Sequence, residues 1–294
     1  MRWISLLSSV FFFGISTLCL GQQIDLGEGD IDFQRIPFKA EFMRKNGIVE
    51  IEVETLEKKS NRPIRSSGHS VNYHFNERGH CAHRTTFRSL RGRQDSVLES
   101  FGLDPQTSGF ETYLRKDQRG LYREEYEVRD EITTIHKYRG SEDAPKDLSH
   151  VDIEYIVKSK KENTDTYTTL NSDSLPYKRV HFVYSDLGYL ISKKEEFLVS
   201  RDQTETNFSY NSKGKLAFRT TEKEGTETMW SYEYDETGSL WKLFKREAGK
   251  LVWRKEILYN KKGYIDAIIT KQESTEDIRI ERFYYTEQDD EQQP

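Results

Sequence analysis

The chain is poor in most of what builds a thick globular core. Apolar residues make up 34% of its 294 residues. Even with the 18 glycines added, the apolar share stays below the roughly 45–50% usual for a soluble domain. That shortage argues against a thick, fully enclosed core. Cysteine is nearly missing, with Cys19 and Cys81 the only two, and there are six prolines and three methionines. Beyond residue 20 no apolar run approaches the ~20 residues that a membrane-spanning helix needs. Catalytic signatures are missing as well: no G-x-S-x-G, H-E-x-x-H, phosphate-binding loop or dinucleotide fingerprint occurs. An enzyme is disfavoured and no cofactor is expected. The net charge of −5 speaks against nucleic acid, whose binders carry a basic patch or a high pI.

What is present is aromatic and charged. With 17 Tyr, 16 Phe and 4 Trp, aromatics reach 13%, which a disordered polar chain would not carry. Charged residues reach 32% against about 25% in an ordinary domain, so most carboxylates must form a solvated face. The composition describes a folded protein with little interior.

Residues 1–21 read as a signal peptide. Arg2 supplies the positive start, residues 4–20 are almost continuously apolar around Val10-Phe11-Phe12-Phe13, and Cys19 and Gly21 are small residues placed for cleavage after Gly21. A secreted, periplasmic or other cell-envelope location follows. The alternative is lipidation at Cys19, which would tether the protein to a membrane face. Removing Arg2 from the 45 basic residues leaves 44 against 50 acidic ones, a net charge of −6, and Cys81 is then the sole cysteine. One cysteine forms no internal disulfide, so stability must come from packing.

The C-terminal half repeats. HFVYSDLGYL from 181, NFSYNSKGKL from 207, SYEYDETGSL from 231 and EILYNKKGYI from 256 share one pattern. Tyr184, Tyr210, Tyr234, Tyr259 and Tyr285 are spaced 26, 24, 25 and 26 apart. In the first four units Gly follows Tyr by four and Leu or Ile by six, while Phe182, Phe208, Tyr232 and Ile257 precede it by two. Period two on both sides of a polar turn is strand chemistry, because alternate side chains of a strand share a face. Asn, Asp or Ser followed three residues later by Gly suits a type I turn with a left-handed glycine bulge. Each unit is thus a hairpin. The predicted fold is all-β, an extended antiparallel meander of hairpins about 25 residues long, as a curved sheet or a partly closed barrel. Residues 180–285 hold the clear repeats, residues 22–179 a divergent β-strand region, and residues 286–294 an acidic tail.

The template reaches back to YHFNERGHC at 73–81, where Cys81 takes the apolar slot and should face the same side as Tyr73 and Phe75. Alternating strands are also predicted over residues 48–53, 121–128, 132–138, 151–157 and 167–170. Asp95 could cap a short helix over residues 96–101; a loop suits the same stretch, as it does the basic run Arg84, Arg88, Arg91 and Arg93.

The unit W-S-Y-E-Y-D-E-T-G-S-L at 230–240 resembles the YD repeat of the RHS family, and its neighbours look like copies with Asn for Asp. The resemblance implies a long sheet of the kind that spirals into a shell in large family members. This chain is too short to enclose a further domain, so what the likeness implies here is an exported sheet used as a surface.

Candidate sites follow from side-chain chemistry. Trp230, Tyr232, Trp241, Trp253 and Tyr264 exceed what one layer can bury, and as outward rings would form a binding surface for a protein or glycan partner. Stacking across strands to hold the sheet is the competing use of these rings. His74, His80 and His83, with His69 and Cys81 nearby, have the ligand chemistry of zinc or copper. The period-two reading sets His74 and His80 opposite Cys81 and His83. Ser96 and Ser174, each between Asp and an apolar residue, resemble O-glycan acceptors of some Gram-negative bacteria. The function expected is a non-enzymatic, monomeric envelope protein that offers a binding or scaffold surface. The alternative is a periplasmic carrier whose curved sheet closes on a lipid or other apolar ligand.

Overall fold

A computed structural model of the chain describes residues 38–60, 62–90, 93–103, 110–141 and 148–288. The signal peptide expected at 1–21, Cys19 and residues 289–294 of the acidic tail lie outside the described residues. A short helix, α1 (Ala40–Lys45), leads into β1 (Ile48–Lys58), β2 (Arg65–Phe75), β3 (Cys81–Leu90), β4 (Arg93–Leu103), β5 (Phe110–Asp117) and β6 (Gly120–Arg129). Next come β7 (Ile132–Gly140), β8 (Ser149–Lys161), β9 (Thr164–Leu170), β10 (Pro176–Tyr184), β11 (Leu190–Phe197) and β12 (Gln203–Tyr210). The described chain ends with β13 (Leu216–Lys223), β14 (Thr226–Tyr234), β15 (Leu240–Glu247), β16 (Lys250–Tyr259), β17 (Ile265–Gln272) and β18 (Ile278–Glu287).

Every strand pairs antiparallel with the next one in sequence, and β18 returns to pair with β1 from Ile48–Glu287 to Lys58–Ile278. The meander predicted from the repeat is a closed barrel of eighteen strands. The strands of the divergent region and of the clear repeats run on in one sheet, from β9 to β10 without a break. Closure removes both edges, which in an open sheet of this length would invite pairing with other chains.

The local chemistry of the repeat accounts for the hairpins. In the turn after β12, the Asn211 side-chain oxygen accepts from the backbone N–H groups of Lys213 and Lys215 at 2.9 and 3.0 Å, and Gly214 takes φ +72°. Asn76, Ser185, Asp235 and Asn260 begin the same turn, each with its backbone carbonyl accepting from the glycine three residues on. Asn171 starts another copy, unread in the sequence because Ser174, at φ 60°, stands where the others have glycine.

Between units a ladder of phenols runs round the wall. Tyr210, Tyr234, Tyr259 and Tyr285 donate to the backbone carbonyls of Leu190, Leu216, Leu240 and Ile265 at 2.8, 2.8, 2.6 and 2.7 Å. The tyrosine slot of one unit is thus tied to the apolar slot of the unit before it, which explains why both recur at a fixed spacing.

Alternation then divides the wall into two faces. Ile51, Val53 and Thr55 of β1 are buried inward, and Glu50, Glu52 and Glu54 lie on the other face. Inward residues of β1, β2, β3 and β12 to β18 form one apolar cluster with Phe38 and Met43, and Tyr73, Leu240, Leu243, Ile265 and Ile268 are fully enclosed. Phe38 meets Tyr73 and Phe75 edge-on, and Phe42 meets Tyr264. The α1 segment therefore plugs the end of the barrel that carries the glycine turns after β2, β10, β12, β14 and β16.

Two local expectations differ from the structure. Residues 96–101 belong to β4 and not to a helix, because Val97, Glu99 and Phe101 alternate inward against β3 and β5. Arg84 and Arg88 sit on β3 and not in a loop: Thr85, Thr86 and Phe87 favour a strand, and the register pairs Arg84 with Glu99 and Arg88 with Asp95.

Candidate functional site

Eighteen strands enclose more space than wall side chains alone can fill. The apolar cluster and α1 occupy one end; toward the other, the inner wall turns polar. A cavity of about 700 Å³ lies there against the arc from β16 through β18 and β1 to β5. The same strands that hold apolar residues near the plug hold ionic ones here in the same inward phase. On β1 Val53 gives way to Thr55, on β17 Ile268 to Thr270, and on β18 Phe283 to Glu281 and Arg279.

The lining carries five cations, Arg84, Arg88, Arg115, Lys255 and Arg279, against two carboxylates, Glu99 and Glu281. Both carboxylates are engaged by the wall. Arg84 binds Glu99 through Nε at 2.6 Å and Nη2 at 2.5 Å, with both side chains about 9% exposed, and the Tyr113 hydroxyl donates to the other oxygen of Glu99 at 2.7 Å. Burial and that carboxylate together push the Tyr113 phenol well above its ordinary range. Arg279 pairs with Glu281 at 2.9 Å. Arg115 turns to Asp117 at 3.0 Å. No carboxylate among the described residues pairs with Arg88. His69 contacts the Thr55 hydroxyl through Nδ1 at 3.4 Å, and burial, then Arg279 and Arg88, lower its pKa below 6.5 while Glu57 opposes them. Trp253 adds an aromatic face beside Lys255, whose ammonium is 5.1 Å from the ring centroid. Such a lining can neutralise an anion and stack against a ring or sugar face.

The wall continues polar beyond the cavity. Glu124 accepts from the hydroxyls of both Tyr122 and Tyr126, and Lys137 pairs with Glu154.

The aromatic surface expected on the outside is mostly inside. Trp230, Tyr232 and Tyr264 are buried and Trp253 lines the cavity; of the five, Trp241 alone stands on the outer face, on a bulge with Lys242 over its ring. Closure supplies an enclosed face that a single open layer lacks. The histidine geometry also differs from expectation. A register shift between His74 and Phe75 makes His74 the direct neighbour of His83 on the outer wall, while Cys81 turns inward opposite Phe75, 4% exposed. His83 contacts Ser100 at 3.0 Å, His74 lies 3.7 Å from Glu50, and the His80 amide serves the turn at Asn76. Among the described residues no three His, Cys, Asp or Glu side chains converge as a metal site would require. Burial pushes the Cys81 thiol up to about 12, which suits a core residue and not a ligand. Ser96 and Ser174 are both exposed, on β4 and in the turn after β9.

Of the cavity residues the sequence singles out Trp253, His69, Arg84 and Arg88, each for a different role, and leaves Glu99, Arg115, Lys255, Arg279 and Glu281 unmarked. Their signal was weak but real: Arg84 lies eleven residues from Tyr73 across the hairpin, and Glu281 and Arg279 keep the phase of Phe283.

No protein-family model matches the chain, and no curated protein matches it in sequence. Among solved structures it is similar to a porin-like protein from Bacteroides uniformis at 10% identity, covering 82% of this chain and 97% of that one with a TM-score of 0.42. It is similar to a porin-like protein from Bacteroides vulgatus at 8% identity, covering 79% and 97% with a TM-score of 0.29. Likeness to a complex of TcdB2, TccC3 and Cdc42, at 11% identity and a TM-score of 0.23, covers 71% of this chain but 14% of that one. The topology corrects the YD-repeat resemblance: the tyrosine and glycine spacing is there, but after eighteen strands the sheet closes on its own first strand, leaving no spiral.

Proposed function

We propose that the protein is a binding barrel of the cell envelope that holds a polar, acidic ligand of saccharide type inside the end opposite α1. One observation carries the reading: five cations line one cavity against two carboxylates, in a chain whose net charge is −5. A volume near 700 Å³ is in the range of small-ligand sites, and Trp253 beside arginines and a lysine suits a sugar ring bearing carboxylates. The lining does not favour a lipid, since Thr55, Thr86 and Thr270 alternate with the charges where a lipid would need hydrocarbon contact.

The outer wall bears on how the barrel is used. A membrane-spanning barrel presents an apolar outward band about 25 Å tall. Here the outward positions include Glu50, Glu52 and Glu54 on β1, Arg123, Glu125 and Glu127 on β6, and Lys194 and Glu196 on β11. Exposed Phe218, Trp241, Leu258 and Tyr284 are interleaved with such charges. The proposed protein works in water and not in the bilayer.

Calorimetric titration with trigalacturonate, an acidic trisaccharide, and with neutral maltotriose tests the reading, with Trp fluorescence as a second signal. Saturable, salt-sensitive binding of trigalacturonate alone is expected. Equal response to both sugars, or none to either, overturns it.

A further inference from the structure

We propose that His69, Arg88 and Arg279 form an oxyanion subsite in the cavity, and that the anion binds together with one proton that His69 takes from solvent. The inference rests on the binding reading above and says which part of the cavity meets the ligand's acidic group.

Position comes from register. His69 lies between Thr55 on β1 and Arg88 on β3, and Thr55 in turn faces Glu281 on β18, with Arg279 the next inward residue on that strand. Three basic side chains thus share one inner patch across four adjacent strands. The opposing charges are accounted for in turn. Glu281 is taken up by Arg279. Glu57, which faces Arg279 across β1, is exposed. Asp95 faces Arg88 on β4 but forms no ion pair with it, and its Oδ1 is buried with no hydrogen-bond partner. Lys255, on β16, adds a further cation at the cavity wall. Arg88 thus forms no ion pair among the described residues and stands beside an imidazole.

The imidazole is where binding and protonation meet. Thr55 contacts Nδ1, and no described group bonds Nε2. Burial first, then Arg279 and Arg88, disfavour a proton on His69, and Glu57 opposes them. An oxyanion placed between the two guanidinium groups cancels their repulsion, so the ring gains a proton and donates one N–H to the anion. No covalent bond changes, and the proton comes from solvent. By linkage, whatever drives the proton on also tightens the anion.

The test measures affinity for trigalacturonate from pH 8 to pH 5 in the wild type and in His69→Gln. The wild type should bind more tightly as pH falls, approaching tenfold per pH unit where one full proton is taken up. His69→Gln should lose the slope; an unchanged slope overturns the subsite. In parallel, the His69 ring is titrated by NMR in sodium chloride and in sodium sulfate at equal ionic strength. A higher midpoint in sulfate, with no trigalacturonate binding, upholds the subsite and overturns only the saccharide reading. Equal midpoints in the two salts overturn the subsite whatever the sugar does.

Discussion

The Tyr259 hydroxyl donates to the backbone carbonyl of Leu240 at 2.6 Å, reaching back from the strand before one glycine turn to the strand after the previous one. Leu240 is fully buried, so its carbonyl has no ready exchange with water if the phenol is removed. Tyr259→Phe is expected to lower stability by about 1–2 kcal/mol in urea denaturation with little change in the m-value. A neutral result would mean that the ladder follows from the register and does not help to hold it.

Gly79 and Gly188 occupy the same turn position, both at φ +80°, but differ in what surrounds them. A Cβ at Gly188 meets nothing within 4 Å, whereas at Gly79 it would collide with the Ala40 carbonyl and the Arg44 amide of α1. Gly188→Ala should cost about 1 kcal/mol from the left-handed backbone alone. Gly79→Ala should cost about 3 kcal/mol, the excess measuring how firmly the plug is seated. Parallel denaturation curves decide it, and equal losses would show that α1 yields freely.

Arg84 and Glu99 form an ion pair with both side chains about 9% exposed. Arg84→Ala strands a buried carboxylate and should cost about 3–5 kcal/mol. Replacing the whole group with Arg84→Met, Glu99→Leu and Tyr113→Phe should recover most of that stability, because nothing charged is then left unpaired. Thermal melts of the two variants give the comparison. A triple variant as unstable as the single one would point to packing at Arg84 instead of charge.

With charges at alternate positions of the outer wall, the protein should partition into the aqueous phase of Triton X-114 and float with no liposome of neutral lipid. Recovery in the detergent phase from a Cys19→Ala background would contradict a water-facing outer wall.

The parts of this fold that could be read in the sequence are those fixed by near neighbours. Tyr210, Gly214 and Leu216 lie within one hairpin, so spacing alone reveals the turn and the phase of both strands. Closure depends on β18 meeting β1, residues more than two hundred positions apart, and no local pattern encodes it. Without closure the sheet has one buried face too few, and Trp230 and Tyr232 read as outward rings although they lie within the barrel. The cavity was hidden for a related reason. Charged residues at alternate positions, such as Arg279 and Glu281, read as a solvated face, and only a closed wall makes that face an interior. The bulge at Cys81 shows the limit at its smallest scale, since one extra residue sends His83 and Cys81 to opposite sides.

The tyrosine ladder has a direction, each unit clasping the one made before it. A hairpin copied or lost in the gene would therefore find an equivalent partner on either side, and the wall could still meet itself. Each such event changes the girth by two strand spacings, about 9.6 Å, without disturbing the fold of any single unit. The barrel's bore is in this sense a counted quantity, open to selection in whole steps, and related chains with more or fewer tyrosine slots would be expected to hold larger or smaller guests.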